Sequence, residues 1–196
     1  MPSKADRLPR RMVIPVLVLA AVAFGLAATS PLQRGREAVW IFGGLTGTAA
    51  LALLAVQPLL VSGVATRTGR RRHRWLGAAI LALALAHVAG LWLYSPEDIT
   101  DALLLRAPTP FSAWGVAGLA GLLAAGLVST LRRPIPPRIW RPLHLGLAVT
   151  GALCAVIHAW LIFGAMEPVS KALLCLVILA SLAVGASSGL RLLRRS

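Results

Sequence analysis

RRHRWLGAAILALALAHVAG, residues 71–90, combines a basic start, an apolar run and two histidines set fourteen positions apart. From Trp75 to Tyr94 the only ionisable side chains are His87 and the terminal Tyr94. About 20 such residues cross the hydrocarbon core of a bilayer as one helix. Runs of the same kind recur at about 12–29, 39–64, 111–131, 143–164 and 169–190, which with 75–94 makes six spans. The expected fold is therefore all-α: a polytopic membrane protein built as a six-helix bundle, its short gaps placing successive spans antiparallel. Composition agrees. Of 196 residues, 58% are apolar and 13% charged, against about a quarter charged in a soluble domain. That balance excludes a disordered tail and argues against a water-soluble domain. The first span has a basic start and the small residues Ala27, Ala28, Thr29 and Ser30 near its end, features shared with a signal peptide. Its apolar stretch exceeds the usual signal length, so the expectation is an uncleaved helix; cleavage would leave five spans in the same orientation.

The net charge of +14 would point to nucleic acid in a soluble protein. Here the basic residues sit in the gaps between apolar runs and read as topology signals, so no nucleic-acid partner is expected. One side collects Lys4, Arg7, Arg10 and Arg11, then Arg67, Arg70, Arg71, Arg72 and Arg74, then Arg132, Arg133, Arg138 and Arg141, then Arg191, Arg194 and Arg195. The other side has only Arg34, Arg36, Arg106 and Lys171. The positive-inside rule places both termini in the cytoplasm. The expected division is a cytoplasmic tail at 1–11, the membrane bundle at 12–190 and a second cytoplasmic tail at 191–196.

Histidine is scarce: His73, His87, His144 and His158 are the full set. His73 and His87 stand fourteen apart on the third span, and His144 and His158 repeat that spacing on the fifth. Fourteen helical residues turn about 1400°, about 40° short of four turns, and rise about 21 Å. Each pair thus shares a helix face with one member near each side of the membrane. The third and fifth spans run in the same direction, so His73 aligns with His144 on the inner side and His87 with His158 on the outer side. An imidazole on each side of a porphyrin plane is the ligation of a low-spin b-type haem. Two haem irons are expected, an inner one on His73 and His144 and an outer one on His87 and His158. Read alone, His73 in its arginine run is a solvated loop residue, which would leave one haem; His144 read alone is interfacial. The two cysteines lie inside apolar runs and Asp and Glu are absent from all six spans. Zinc, di-iron and carboxylate-based ion transport are thereby disfavoured.

Arg71-Arg72-His73-Arg74-Trp75-Leu76-Gly77 leading to His87, with Trp140-Arg141-Pro142-Leu143-His144 leading to His158, resembles the third and fifth helices of the ferric reductase-like transmembrane family. The resemblance covers about residues 40–190. That family includes the haem core of NADPH oxidases, ferric-chelate reductases and the haem subunit of a periplasmic methionine sulfoxide reductase system. The resemblance implies a bundle carrying electrons across a bacterial inner membrane to ferric iron, a periplasmic reductase or oxygen. No Gly-rich dinucleotide motif is present, so a separate flavoprotein or quinol is the expected donor, and the chain acts as an oxidoreductase component only with a partner. Some bacterial members lack the first histidine of the third helix, which makes His73 the informative position. Cytochrome b of quinol-oxidising complexes shares paired histidines but is much larger. The alternative outside redox chemistry is a haem-free structural or assembly subunit.

Lesser features complete the reading. Arg74 and Arg141 stand at the depth of the inner haem, where they could pair with its propionates, and Arg106 could do so outside. Gly77 and Gly90 could leave room for a macrocycle, whereas Gly115, Gly118 and Gly121 read first as helix packing. Cys154 reads as a small packed hydrophobe, and Trp75, Trp92, Trp140 and Trp160 as an interfacial belt against membrane lipid. Glu97, Asp98 and Asp101 make an acidic outer loop.

Overall fold

The computed structural model describes residues 4–63 and 66–194. Residues 1–3 of the expected N-terminal tail, and Arg195 and Ser196 of the C-terminal one, lie outside the described residues. Among the described residues seven α-helices follow one another: α1 (Lys4–Ala28), α2 (Ala38–Val56), α3 (Arg67–Tyr94), α4 (Pro96–Leu103), α5 (Pro110–Thr130), α6 (Pro137–Leu161) and α7 (Pro168–Arg194). All but α4 are long and apolar enough to cross a membrane, giving the six spans read from the sequence. No strand occurs among the described residues.

Three helices, α1, α3 and α6, begin well before their apolar runs do, and the last two differences concern histidines. Helix α3 starts at Arg67 because Thr66 caps it, its hydroxyl accepting from the Gly69 N–H. Helix α6 starts at Pro137, whose fixed φ and missing N–H suit the first helical position. His73 and His144 are thus on regular helix, as the fourteen-residue argument requires. The second span is interrupted instead: α2 gives way to a 3-10 run over Gln57–Gly63, where Pro58 removes a donor from the α-helical ladder.

Helices α2 and α3 form one closely packed hairpin, and α5 and α6 form another. Small residues set the approach. A Cβ on Gly90 would lie 3.1 Å from Gly43 Cα, and one on Gly121 would lie 2.8 Å from Gly151 Cα. Helices α3 and α6, which carry the histidines, scarcely touch by backbone. Fully buried apolar side chains gather elsewhere, where α1, α7 and the 3-10 run enclose Ala20, Ala23, Ala55, Leu59, Leu174 and Ile178. Outward faces are apolar: Leu17, Trp75, Leu127, Trp160 and Leu176 are all exposed, which suits a hydrocarbon surround in place of water.

Candidate metal centre

Between the two hairpins the histidines meet in pairs. The rings of His73 and His144 have centres 6.3 Å apart with an interplanar angle of 72°. His87 and His158 repeat both values. A ring nitrogen lies about 1.1 Å from its ring centre and a metal–imidazole bond is about 2.0–2.1 Å, so two rings on opposite sides of one metal have centres about 6.3 Å apart. No cluster of three or more His, Cys, Asp or Glu suited to a metal occurs among the described residues. A metal gripped by two imidazoles alone needs its remaining ligands from a non-protein group, and a porphyrin supplies four.

The other ring nitrogen is engaged in a consistent way. Nδ1 of His87 is 2.7 Å from the Gly43 carbonyl, that of His158 is 2.7 Å from the Phe111 carbonyl, and that of His144 is 2.9 Å from the Ala125 carbonyl. Donation from Nδ1–H to a carbonyl leaves the Nε2 lone pair for a metal and fixes the ring plane. His73 differs. Its Nδ1 is buried and faces the Gln57 backbone without a well-formed hydrogen bond, while the Gln57 amide donates to the His73 backbone carbonyl at 3.1 Å.

Glycines make room for two of these bonds. A Cβ on Gly47 would sit 2.7 Å from His87 Nδ1, and one on Gly115 would sit 2.7 Å from His158 Nδ1. In each case the glycine is four residues after the carbonyl that receives the histidine. The carbonyl's second lone pair is reached through the gap where a side chain would stand. An apolar cavity adjoins this pair, lined by Leu51, Ile80, Val88, Leu119 and Leu122 from the hairpins and by Ile99 and Leu103 of α4.

The sequence profile described as "Ferric reductase like transmembrane component" matches residues 42–155, more than half of the chain. The chain belongs to this ferric reductase-like transmembrane family. Members of the family generally bind haem, and its transmembrane domains are associated with electron-transfer subunits that work with a separate redox partner. No curated protein and no solved structure matches the chain. The matched segment contains His73, His87 and His144; His158 lies just past its end, and its ring stands opposite that of His87.

The remaining expected residues of this ferric reductase-like chain divide. Arg74 is exposed beside His73. Arg141 is half-buried, its guanidinium 5.9 Å from the Trp140 ring centre. Arg106 is exposed and does not line the outer cavity. Gly77 abuts the Gln57 amide and Gly90 abuts Phe42 and Gly43, so both serve packing. Gly118 and Gly121 fit against α6, as read from the sequence, but Gly115 accommodates a histidine. Sequence reasoning missed Gly47, Gln57 and the receiving carbonyls. The run Gly43-Gly44-Leu45-Thr46-Gly47 was a readable sign of close approach in α2; a carbonyl, which every residue has, carries no sign. Lys171 was read only as a loop charge, yet it lines the cavity and is 9% exposed.

Proposed function

We propose that the chain is a b-type cytochrome subunit carrying electrons across the membrane, with haem b held by His87 and His158 on one side and by His73 and His144 on the other. The observation that carries this reading is the pair of equal ring separations, 6.3 Å twice, between helices that otherwise scarcely touch. A haem held by two imidazoles supplies a one-electron couple. The protein's part is to keep ring orientation fixed through the Nδ1 bonds to Gly43, Phe111 and Ala125. The cavity beside the His87–His158 pair is lined mainly by apolar side chains. Arg74 and Arg141 are positioned in sequence to meet carboxylates at the Arg-rich end.

The proposed orientation puts that end, with tails 1–11 and 191–196, in the cytoplasm and the bundle 12–190 in a bacterial inner membrane. Electrons enter there from a separate flavoprotein or quinol. They leave at the opposite face to ferric iron or a periplasmic reductase.

The test is haem content per chain by pyridine haemochromogen on detergent-solubilised protein, repeated for His→Ala at each of the four positions. Two haems in the parent protein are expected, with one lost from either His87→Ala or His158→Ala and the other from His73→Ala or His144→Ala. One haem, unaffected by His73→Ala, limits the centre to His87 and His158. A protein without a Soret band after expression with ample haem is the haem-free subunit.

A further inference from the structure

Lys171 is a cation inside the bundle. It sits in the first turn of α7 and its Nζ donates to two backbone carbonyls, Trp160 at 3.0 Å and Ile162 at 2.8 Å. These are carbonyls at the C-terminal end of α6, the helix bearing His158, where a positive charge opposes the negative end of the helix dipole. The aromatic rings of Phe163 and Trp160 flank it, 4.8 Å and 5.8 Å from Nζ to ring centre. An ammonium group has three N–H donors, and two are used. Lys171 forms no ion pair among the described residues. Glu167, one turn away on the chain, is engaged by the Ser30 hydroxyl at 3.0 Å. A cation this enclosed is costly without an anion, and two carbonyls and a helix dipole supply only partial negative charge. The same side chain lines the cavity that holds His87 and His158.

We infer that Lys171 is the charge partner of a carboxylate on the tetrapyrrole bound between His87 and His158, and that it raises the reduction potential of that group. This rests on the haem reading above. The third N–H of Nζ is the donor, and a carboxylate is the acceptor that satisfies both its charge and its hydrogen bond. A positive charge close to the metal centre favours the reduced form, which carries one positive charge fewer. Loss of Lys171 therefore lowers the potential of the outer centre and leaves that of the inner centre, about 21 Å along the helices, nearly unchanged. By the same geometry Arg106 has no such role, since it is exposed and outside the cavity.

The experiment is a spectroelectrochemical titration of the purified full chain, comparing the parent with Lys171→Gln, Lys171→Met and Lys171→Arg. Glutamine retains a donor for the α6 carbonyls, methionine retains length alone, and arginine retains charge. The expected result is at least a tenfold shift toward the oxidised form at one haem for the Gln and Met variants, about 59 mV for a one-electron couple. The arginine variant stays near the parent. Unchanged potentials at full haem content overturn the inference and leave Lys171 a helix cap. If the neutral variants do not accumulate, reduced-minus-oxidised infrared spectra of the parent, loaded with haem carrying 13C carboxylates, decide. Carboxylate bands altered by 15N-lysine labelling support the pairing, and unaltered bands overturn it. A parent protein without haem removes the haem reading itself, and this inference with it; a haem-replete parent with indifferent variants removes this inference alone.

Discussion

Each ring at the His87–His158 pair is held by a carbonyl at one position and by a missing side chain four residues on: Gly43 with Gly47, and Phe111 with Gly115. A helix carbonyl already accepts one N–H, and at these two positions the histidine reaches its second lone pair through the gap that the glycine leaves in the next turn. Gly47→Ala or Gly115→Ala puts a methyl about where Nδ1 must be and forces the ring to turn. Loss of such an orienting contact lowers metal affinity about 10- to 100-fold. Outer haem is expected to wash out of both variants during purification while inner haem stays, read as haem per chain and as loss of one component of the reduced spectrum. Gly146→Ala, which adds a methyl into open space on α6, is the control and keeps both. Equal loss of the two haems in Gly47→Ala would show a general packing defect. The histidines themselves were legible because imidazole is rare in a membrane span and its spacing repeats. The bonds that aim them were not, because they use backbone atoms common to every residue. Lys171 was visible but misread, since a charge between two apolar runs looks alike whether it faces solvent or turns inward.

At the scale of elements, the two hairpins are stiff partners across a gap, and their stiffness comes from glycine contacts that no other residue can make. A Cβ on Gly151 would meet the Leu122 nitrogen at 2.8 Å and the Gly121 carbonyl carbon at 3.0 Å, backbone atoms that cannot swing aside. Gly151→Leu is therefore expected to pry α5 from α6. Overpacking of this sort costs about 1–3 kcal/mol. It should appear as a lower midpoint in thermal denaturation followed by the Soret band, with both histidine pairs affected because His144 and His158 ride on the same helix. Retention of the parent midpoint would mean that the hairpin re-docks without cost. The six spans and the shared face of each histidine pair could be read from hydropathy and helical period alone. The starts of α3 and α6 could not, since Thr66 and Pro137 act through capping geometry inside stretches too basic to count as apolar. Helix α4 was also unread: Pro96 opens it and Glu97 and Asp98 occupy its first turn, but eight residues are too few for a clear period.

For the molecule as a whole, the direction of electron flow depends on which end faces the cytoplasm, and the two ends differ in charge. Sixteen of the twenty Lys and Arg lie on one side of the expected spans, in the tails and in the connections from α2 to α3 and from α5 to α6. His73 and His144 sit at the starts of α3 and α6, next to those connections, and His87 and His158 sit about 21 Å further along. With a hydrocarbon core of about 30 Å, that spacing leaves each pair within reach of a soluble partner at its own face. The orientation is expected to follow the arginines. Alkaline phosphatase inserted between α4 and α5 should be active, and phosphatase fused after α7 inactive, with green fluorescent protein at the latter site fluorescent. The reverse pattern would put the His87–His158 pair, its cavity and Lys171 on the cytoplasmic side, and the donor would then have to deliver electrons there. Changing Arg70, Arg71 and Arg72 together to Gln separates topology from chemistry. If these residues act through the positive-inside rule, reporter orientation becomes mixed while haem content per correctly inserted chain stays at the parent value. If instead they hold the inner haem, orientation is kept and haem per chain falls.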